Sequence, residues 1–186
     1  MKIASISENL KIEKRIAITP EIAKKYISLG FEVAIVQGYG EHLGFRDSDY
    51  KELGVEISTN EVELLNNTNI IVQVGLLSDE NLSNLKENQT LIGVFNPYNN
   101  KEKIKNLSKK NINVFSLEML PRITRAQSMD ILSSQANLAG YKAVIESFAN
   151  FEKAIPMMMT AAGTIPAAKV LVVGAGVAGL QAIATA

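Results

Sequence analysis

Residues 119–137, MLPRITRAQSMDILSSQAN, gather Arg122, Arg125, Gln127, Asp130 and Ser133 just after an apolar, strand-like run. Together they offer a fixed positive charge, a carboxylate, a hydroxyl and an amide. That set suits a planar carboxamide attached to a ring whose charge changes when a hydride moves. Hydride passage between two such rings moves no proton, so the chemistry needs no histidine or lysine as acid–base catalyst. A plainer reading competes with this one. Thr124, Arg125, Ala126 and Gln127 fit the S/T-x-x-E/Q pattern of a capping box, which makes the stretch a helix start, with Arg122 a surface charge and Asp130 tolerated near the positive helix end. Capping accounts for Thr124 and Gln127, but not for the proximity of Arg122, Gln127, Asp130 and Ser133. Those four are the candidate catalytic residues.

The second candidate lies at the other end of the chain, in TAAGTIPAAKVLVVGAGVAGLQAIATA. A loop with Gly163 and Pro166 leads into the apolar run KVLVVG, expected to be a strand, and then into Gly174, Gly176 and Gly179 at the opening of an alanine-rich helix. This is G-x-G-x-x-G in the strand–turn–helix setting it requires. The first glycine turns the chain, the second admits a pyrophosphate close to the backbone, and the third packs helix on strand. Val177 and Ala178 fill the intervening positions, where the amides of a helix N-terminus can hold phosphate. Gly174, Gly176, Val177, Ala178 and Gly179 are therefore the candidate dinucleotide-binding residues. The acidic residue that holds the adenosine ribose is expected about 20 residues further on. The sequence reaches Ala186 first, so half of that nucleotide site is expected to lie outside this polypeptide.

Both candidates must be positioned by a scaffold, and the rest of the chain supplies one. KIASIS, FEVAIVQ, NIIVQVG, QTLIGVF and NVFSL are short runs rich in Ile, Val and Phe, as buried strands require. Between them fall amphipathic segments. In ITPEIAKKYISLG, Thr19 can cap, Pro20 fits the first helical turn and Gly30 supplies a left-handed stop. SDYKELG, NEVELLNN, SDENLSNLK and NNKEKIKNLSKK suggest further helices. Strand-then-helix alternation implies crossover connections and a mainly parallel sheet, an α/β layer sandwich of Rossmann-like or flavodoxin-like form. From Ser128, Leu132, Ala136, Ala139 and Ala143 recur at helical spacing, with Ser133, Asn137 and Gly140 on an adjacent small-residue face. This long helix, reaching about Asn150, is expected to connect two units. The expected organisation is a Rossmann-like domain over 1–125, a connecting helix and linker over 126–163, and the beginning of a second Rossmann domain over 164–186.

Composition excludes several classes. Of 186 residues, 47% are hydrophobic and 20% charged, enough apolar material for a substantial core. Lys plus Arg and Asp plus Glu each total 19, so no net positive field recruits nucleic acid or an anionic membrane. The absence of cysteine rules out disulfides and thiolate chemistry, and the single His42 cannot build a histidine metal cluster. No stretch approaches the length of a membrane span, and no leader-like start is present. Direct membrane insertion is not expected, and a cytoplasmic location is.

The segments EKRIAITPEIAKKYISLGFEVAIVQGYG, PRITRAQSMDILSSQANLAGYKAVIE and MMMTAAGTIPAAKVLVVGAGVAGLQAIATA resemble the N-terminal part of the alpha subunit of proton-translocating NAD(P) transhydrogenases, in the superfamily that includes alanine dehydrogenase. The resemblance runs through the whole chain, and the middle segment is its most specific part. It implies an NAD(H) site on this chain and an NADP(H) site on a partner subunit. Hydride passes between the two nucleotides, coupled to proton translocation by a membrane-spanning partner. It further implies that Arg122 and Asp130 form a charged pair beside the nicotinamide, that Ser133 binds its carboxamide region, and that Gln127 reaches toward the second nucleotide. Gly174, Gly176 and Gly179 would hold the pyrophosphate. A homodimer, attached peripherally to the inner membrane through its partner subunits, is the expected assembly.

Alanine dehydrogenase is the nearest alternative. Amine oxidation needs a carboxylate-binding arginine with lysine and histidine for acid–base work, and the resemblance puts those last two near Gly75 in IVQVGLL and Asn96 in VFNPY, where neither residue can serve. Arg15 is expected to remain for structural pairing, and His42 in GYGEHLGF to be a surface loop residue. The run Met157 to Met159 reads as adaptable core or hinge packing. A third reading is a truncated, non-catalytic interaction module, and the isolated chain is expected to be inactive.

Overall fold

Parallel pairing of the short apolar runs builds the first of two units in the computed structural model, which describes residues 1–186. Over Met1–Leu120, strands β1 (Lys2–Ser5), β2 (Glu32–Val36), β3 (Glu56–Ser58), β4 (Ile70–Val72), β5 (Thr90–Gly93) and β6 (Asn113–Ser116) form one sheet in the order β3-β2-β1-β4-β5-β6. Every neighbouring pair is parallel. This is the Rossmann-like order, with its switch between β1 and β4. The crossovers are helical: α1 (Pro20–Ser28), α2 (Asp47–Lys51), α3 (Glu61–Asn66), α4 (Asp79–Ser83) and α5 (Lys101–Lys109). Two caps follow the sequence. Thr19 Oγ1 accepts the Ile22 amide at the start of α1, and Asn60 Oδ1 accepts the amides of Val62 and Glu63 at the start of α3.

The central strands carry the core because crossover helices bury both faces of a parallel sheet. Ile3, Ala4, Val33, Ala34, Ile35, Ile71 and Leu91 are all buried there. The edges differ. β3 lies outside the strands expected from the sequence, since its three residues, Glu, Ile and Ser, form a partly exposed edge with no apolar run to mark it. On the opposite edge β6 leaves Phe115 57% exposed.

The second unit, Pro121–Ala186, holds a 3-10 stretch (Thr124–Met129), the 19-residue α6 (Ile131–Ala149), a two-stranded antiparallel hairpin of β7 (Met158–Thr160) and β8 (Gly163–Ile165), and α7 (Val177–Thr185). Three expectations need correcting here. The loop expected around Gly163 is half of a hairpin, and Met157, just before it, and Met158 and Met159 on it are exposed rather than packed in a core. KVLVVG is not a strand. A strand exists only by pairing, and residues 169–174 find no ladder partner, so Leu171 and Val173 stand 88% and 92% exposed.

Candidate functional site

Asp130 opens α6 and fixes the local chemistry. One carboxylate oxygen accepts the Ser133 amide at 2.9 Å and the other accepts the Ser133 hydroxyl at 2.7 Å. Asp130 is thus the N-cap and Ser133 stands at the third helical position, where an orphan amide needs an acceptor. These two bonds, reinforced by the more distant positive charge of Arg122, hold the Asp130 carboxyl below the usual carboxylate range. The charged pair is loose. Arg122 Nε lies 3.9 Å from Asp130 Oδ2, and the arginine side chain is 64% exposed.

The capping box expected at Thr124–Gln127 does not form. Those residues lie in the 3-10 stretch, which begins after Ile123 without a side-chain cap, and the Ala126 amide bonds back to the Ile123 carbonyl at 2.9 Å. The tighter turn delays the α-helix to Ile131. Capping passes to Asp130, and Gln127 is left exposed. The readable signal was D-x-x-S, an acidic cap facing a hydroxyl three residues on.

The glycine turn divides its work among three residues. Gly174 has φ +105°, a left-handed conformation that a side chain resists. Gly176 is the extended N-cap of α7, has no side-chain cap, and has no atom within 4 Å of where a Cβ would stand. A Cβ on Gly179 would overlap the Gly174 carbonyl oxygen, so the third glycine closes the turn on itself. The first intrahelical bond of α7 runs from the Leu180 amide to the Gly176 carbonyl at 2.8 Å. The amides of Val177, Ala178 and Gly179 therefore start the helix without an intrahelical acceptor. That is the cradle a pyrophosphate needs, and the residues present fit the group.

Both candidates meet within this unit. Arg122 and Ser133 share a cavity of about 390 Å³ with Gly174, Gly176, Val177, Ala178 and Gly179. Gln127 and Asp130 line a neighbouring cavity of about 290 Å³, and Arg122 is a wall of both. Sequence reasoning missed the role of Gly140. It is buried in mid-α6, and a Cβ there would overlap the Ala178 carbonyl oxygen. The signal was available, because a glycine inside a helical pattern costs stability unless something must approach closely.

The first unit holds a different constellation at its sheet switch. A crevice of about 580 Å³, lined by Glu8, Gln73, Gly75 and Ser78 among others, opens at the carboxyl ends of β1 and β4. The Glu8 carboxylate accepts the amides of Val74 at 2.7 Å and Gly75 at 3.2 Å, and burial pushes its pKa up against those bonds. Gly75 contributes only backbone. Asn96 has φ +46° and donates its amide to Glu118. Arg15 forks onto the Glu13 carboxylate, with Nε and Nη2 at 2.9 and 2.7 Å. His42 Nε2 lies 2.8 Å from the Lys14 carbonyl on the exposed surface. No cluster of metal-ligating side chains is present, and no helix is long and apolar enough to cross a membrane.

A parallel sheet in Rossmann-like order, followed by a glycine turn on a helix N-terminus, defines an α/β protein of the dinucleotide-fold class. The family match is more particular. The description "Alanine dehydrogenase/PNT, N-terminal domain" matches residues 5–139, and "Alanine dehydrogenase/PNT, C-terminal domain" matches residues 143–186. The chain belongs to the alanine dehydrogenase/PNT family. It is 48% identical to a Rickettsia prowazekii (strain Madrid E) protein named as the first segment of NAD(P) transhydrogenase subunit alpha, over all of this chain and 50% of that protein. It is 45% identical to the same-named protein of Rhodospirillum rubrum, with 100% and 50% coverage. The transhydrogenase structure from Sinorhizobium meliloti superposes with a TM-score of 0.92 at 43% identity, covering all of this chain and 53% of that one. The chain spans about half the length of the curated relatives it matches.

Proposed function

We propose that this chain is the NAD(H)-binding component of a transhydrogenase, in which hydride passes between NAD(H) here and NADP(H) on a partner subunit while a membrane-spanning partner translocates protons. The observation that carries the reading is the cavity shared by Arg122, Ser133 and the glycine turn. The names of the relatives, which are transhydrogenase alpha subunits, support it. When bound, a nicotinamide supplies the carbon that gives or takes the hydride. The amides of Val177, Ala178 and Gly179 hold the pyrophosphate at the positive end of α7. Ser133 spends its proton on Asp130, so its oxygen is left to accept from the carboxamide nitrogen. Arg122, only loosely paired, offers guanidinium donors to a carboxamide oxygen or a phosphate. Asp130 keeps a negative charge beside a ring that is cationic when oxidised. Gln127, free of any capping duty, is available to the second nucleotide. The assembly in this reading is a homodimer held at the inner membrane by its partner subunits.

Amine oxidation has little support. Gly75 and Asn96 offer no side chain for acid–base work, and Arg15 is engaged with Glu13. The test pairs two assays on the chain combined with an NADP(H)-binding partner subunit. Transfer from NADH to an NADP analogue is expected, and NADH oxidation dependent on pyruvate and ammonia is not. Robust reductive amination would sink the assignment.

A further inference from the structure

We propose that Gly140 is a positioning residue for the dinucleotide turn. Lacking a side chain, it lets the first turn of α7 seat against α6 at the depth where the Val177, Ala178 and Gly179 amides open into the shared cavity. This rests on the reading of that cavity as a dinucleotide site. Gly140 is buried midway along α6. A Cβ there would overlap the Ala178 carbonyl oxygen and lie 2.9 Å from its carbonyl carbon and 3.0 Å from its Cα. All three obstacles are backbone atoms, which cannot swing aside as the tip of a long side chain can. Restoring ordinary van der Waals separation requires the first turn of α7 to move by on the order of 1 Å.

The register of α6 links this contact to the site. Ser133 and Ala136 precede Gly140 by seven and four residues, on the same helical face, and both line the cavity with the glycine turn. One face of α6 thus supplies a cavity wall and, one turn further on, the seat of the turn that forms the opposite wall. Gly179 has the internal task, since its missing Cβ makes room for the Gly174 carbonyl. The site therefore uses four glycines, one of them far upstream of the motif. Helix stability gives no reason for glycine at position 140, because alanine is preferred in a helix interior. Helix propensity alone would make Gly140→Ala stabilising, so the turn amides and the ligand affinities, rather than stability, separate a packing role from positioning.

The experiment uses the isotope-labelled 186-residue chain, its Gly140→Ala variant, and Ala139→Gly as a control at the exposed neighbouring position. Gly140→Ala is expected to keep a dispersed amide spectrum and a cooperative melt. The amide resonances of Gly174, Gly176, Val177, Ala178 and Gly179 shift, and those of Ile3 and Ala4 in β1 stay in place. NADH and ADP-ribose, which lacks the nicotinamide, should both bind at least about tenfold more weakly, a loss in line with misplacing binding groups by about 1 Å. Ala139→Gly should lower the melting temperature and leave the turn resonances and both affinities at parental values. Unmoved turn amides in a folded Gly140→Ala chain overturn the proposal, as do displaced amides with unchanged affinity or loss of the folded state. If the parental chain binds neither nucleotide, the dinucleotide reading fails on its own, while the turn resonances still decide whether Gly140 sets the position of α7.

Discussion

Tyr39→Phe should destabilise the first unit far more than the loss of one oxygen atom suggests. The phenol is buried, its ring meets Tyr50 edge-on at 6.3 Å, and burial keeps its pKa raised so that it acts as a neutral hydroxyl. Its oxygen accepts the amides of Ala17 at 2.9 Å and Ile18 at 3.2 Å. Its proton goes to Ser5 Oγ at 2.7 Å, because Ser5 in turn donates to Gln73 Oε1, which can only accept. Phenylalanine keeps the ring and its packing but leaves two amides without an acceptor, one buried and one half-buried. Stranding such a group costs about 1–3 kcal/mol. Taking about 2 for Ile18 and about 1 for Ala17 gives roughly 3 kcal/mol, a large share of the 5–15 kcal/mol typical of a domain. Ser5 still bonds Gln73, so no third loss is added. With a urea m-value near 2 kcal/mol/M, the midpoint should fall by about 1.5 M at constant m. The assay is urea unfolding followed by far-UV circular dichroism, since the chain has no tryptophan. A shift under about 0.3 M would refute the reasoning, because it would mean that water or backbone relaxation satisfies both amides. The loop tied down in this way carries Glu13 and Arg15, so the variant should also loosen their ion pair.

Gln127→Asn should slow single-turnover hydride transfer in the assembled enzyme by at least about tenfold, equivalent to roughly 1.4 kcal/mol, with the melting temperature unchanged. A lowered melting temperature with parental transfer would return the residue to a structural role. Asp130→Asn keeps an oxygen to accept the Ser133 amide but removes the charge, so thermal melts at neutral pH should fall modestly while NADH affinity falls; equal affinity in fluorescence titrations contradicts the assignment. The lowered Asp130 pKa adds a signed expectation. Its stabilisation is present above the unfolded-state pKa of about 3.9 and is lost as pH falls through the lower folded value, so melts below about pH 4 should be steeper in pH for the parent than for Asp130→Asn. Glu8 has the opposite sign, since burial raises its pKa. The cost of its charge appears as pH rises through that raised value, so Glu8→Gln, whose amide oxygen can still accept the Val74 amide, should melt no lower than the parent at neutral pH.

The sheet was legible because its central strands are apolar on both faces, which is the mark of a parallel layer. β3 escaped because an edge strand of Glu, Ile and Ser needs no such pattern. KVLVVG misled for the complementary reason: its composition is that of a buried strand, but pairing is supplied by neighbours and not by composition. In the loop, a capping pattern at Thr124–Gln127 and another at Asp130–Ser133 compete for one helix start. Local rules rank neither, and only the 3-10 geometry before Asp130 shows which is used. Gly140 was read with Ser133 and Asn137 as a small-residue face beside an apolar face of Leu132, Ala136, Ala139 and Ala143; Asn137, Ala139 and Ala143 are exposed, and the reason for the glycine lies in Ala178, whose approach no pattern within α6 records.

A helix cap and the proposed binding residue need not be alternatives at Asp130. The same carboxylate that accepts the Ser133 amide and hydroxyl forms part of the cavity wall that Arg122 shares with the glycine turn's cavity. Capping fixes Asp130 and Ser133 with respect to α6, so the donors and acceptors offered to a ligand are organised before it arrives, as preorganised electrostatics requires. Arg122 is the exception, exposed and at the limit of ion-pair distance. If the nicotinamide binds here as proposed, a fixed carboxylate and hydroxyl would stand beside an exposed guanidinium with room to adjust to a ring whose charge alternates. A tight Arg122–Asp130 pair would instead spend the carboxylate's field on the arginine in both redox states. On the proposed reading, the looseness of that pair would leave the Asp130 charge available to distinguish an oxidised from a reduced nicotinamide.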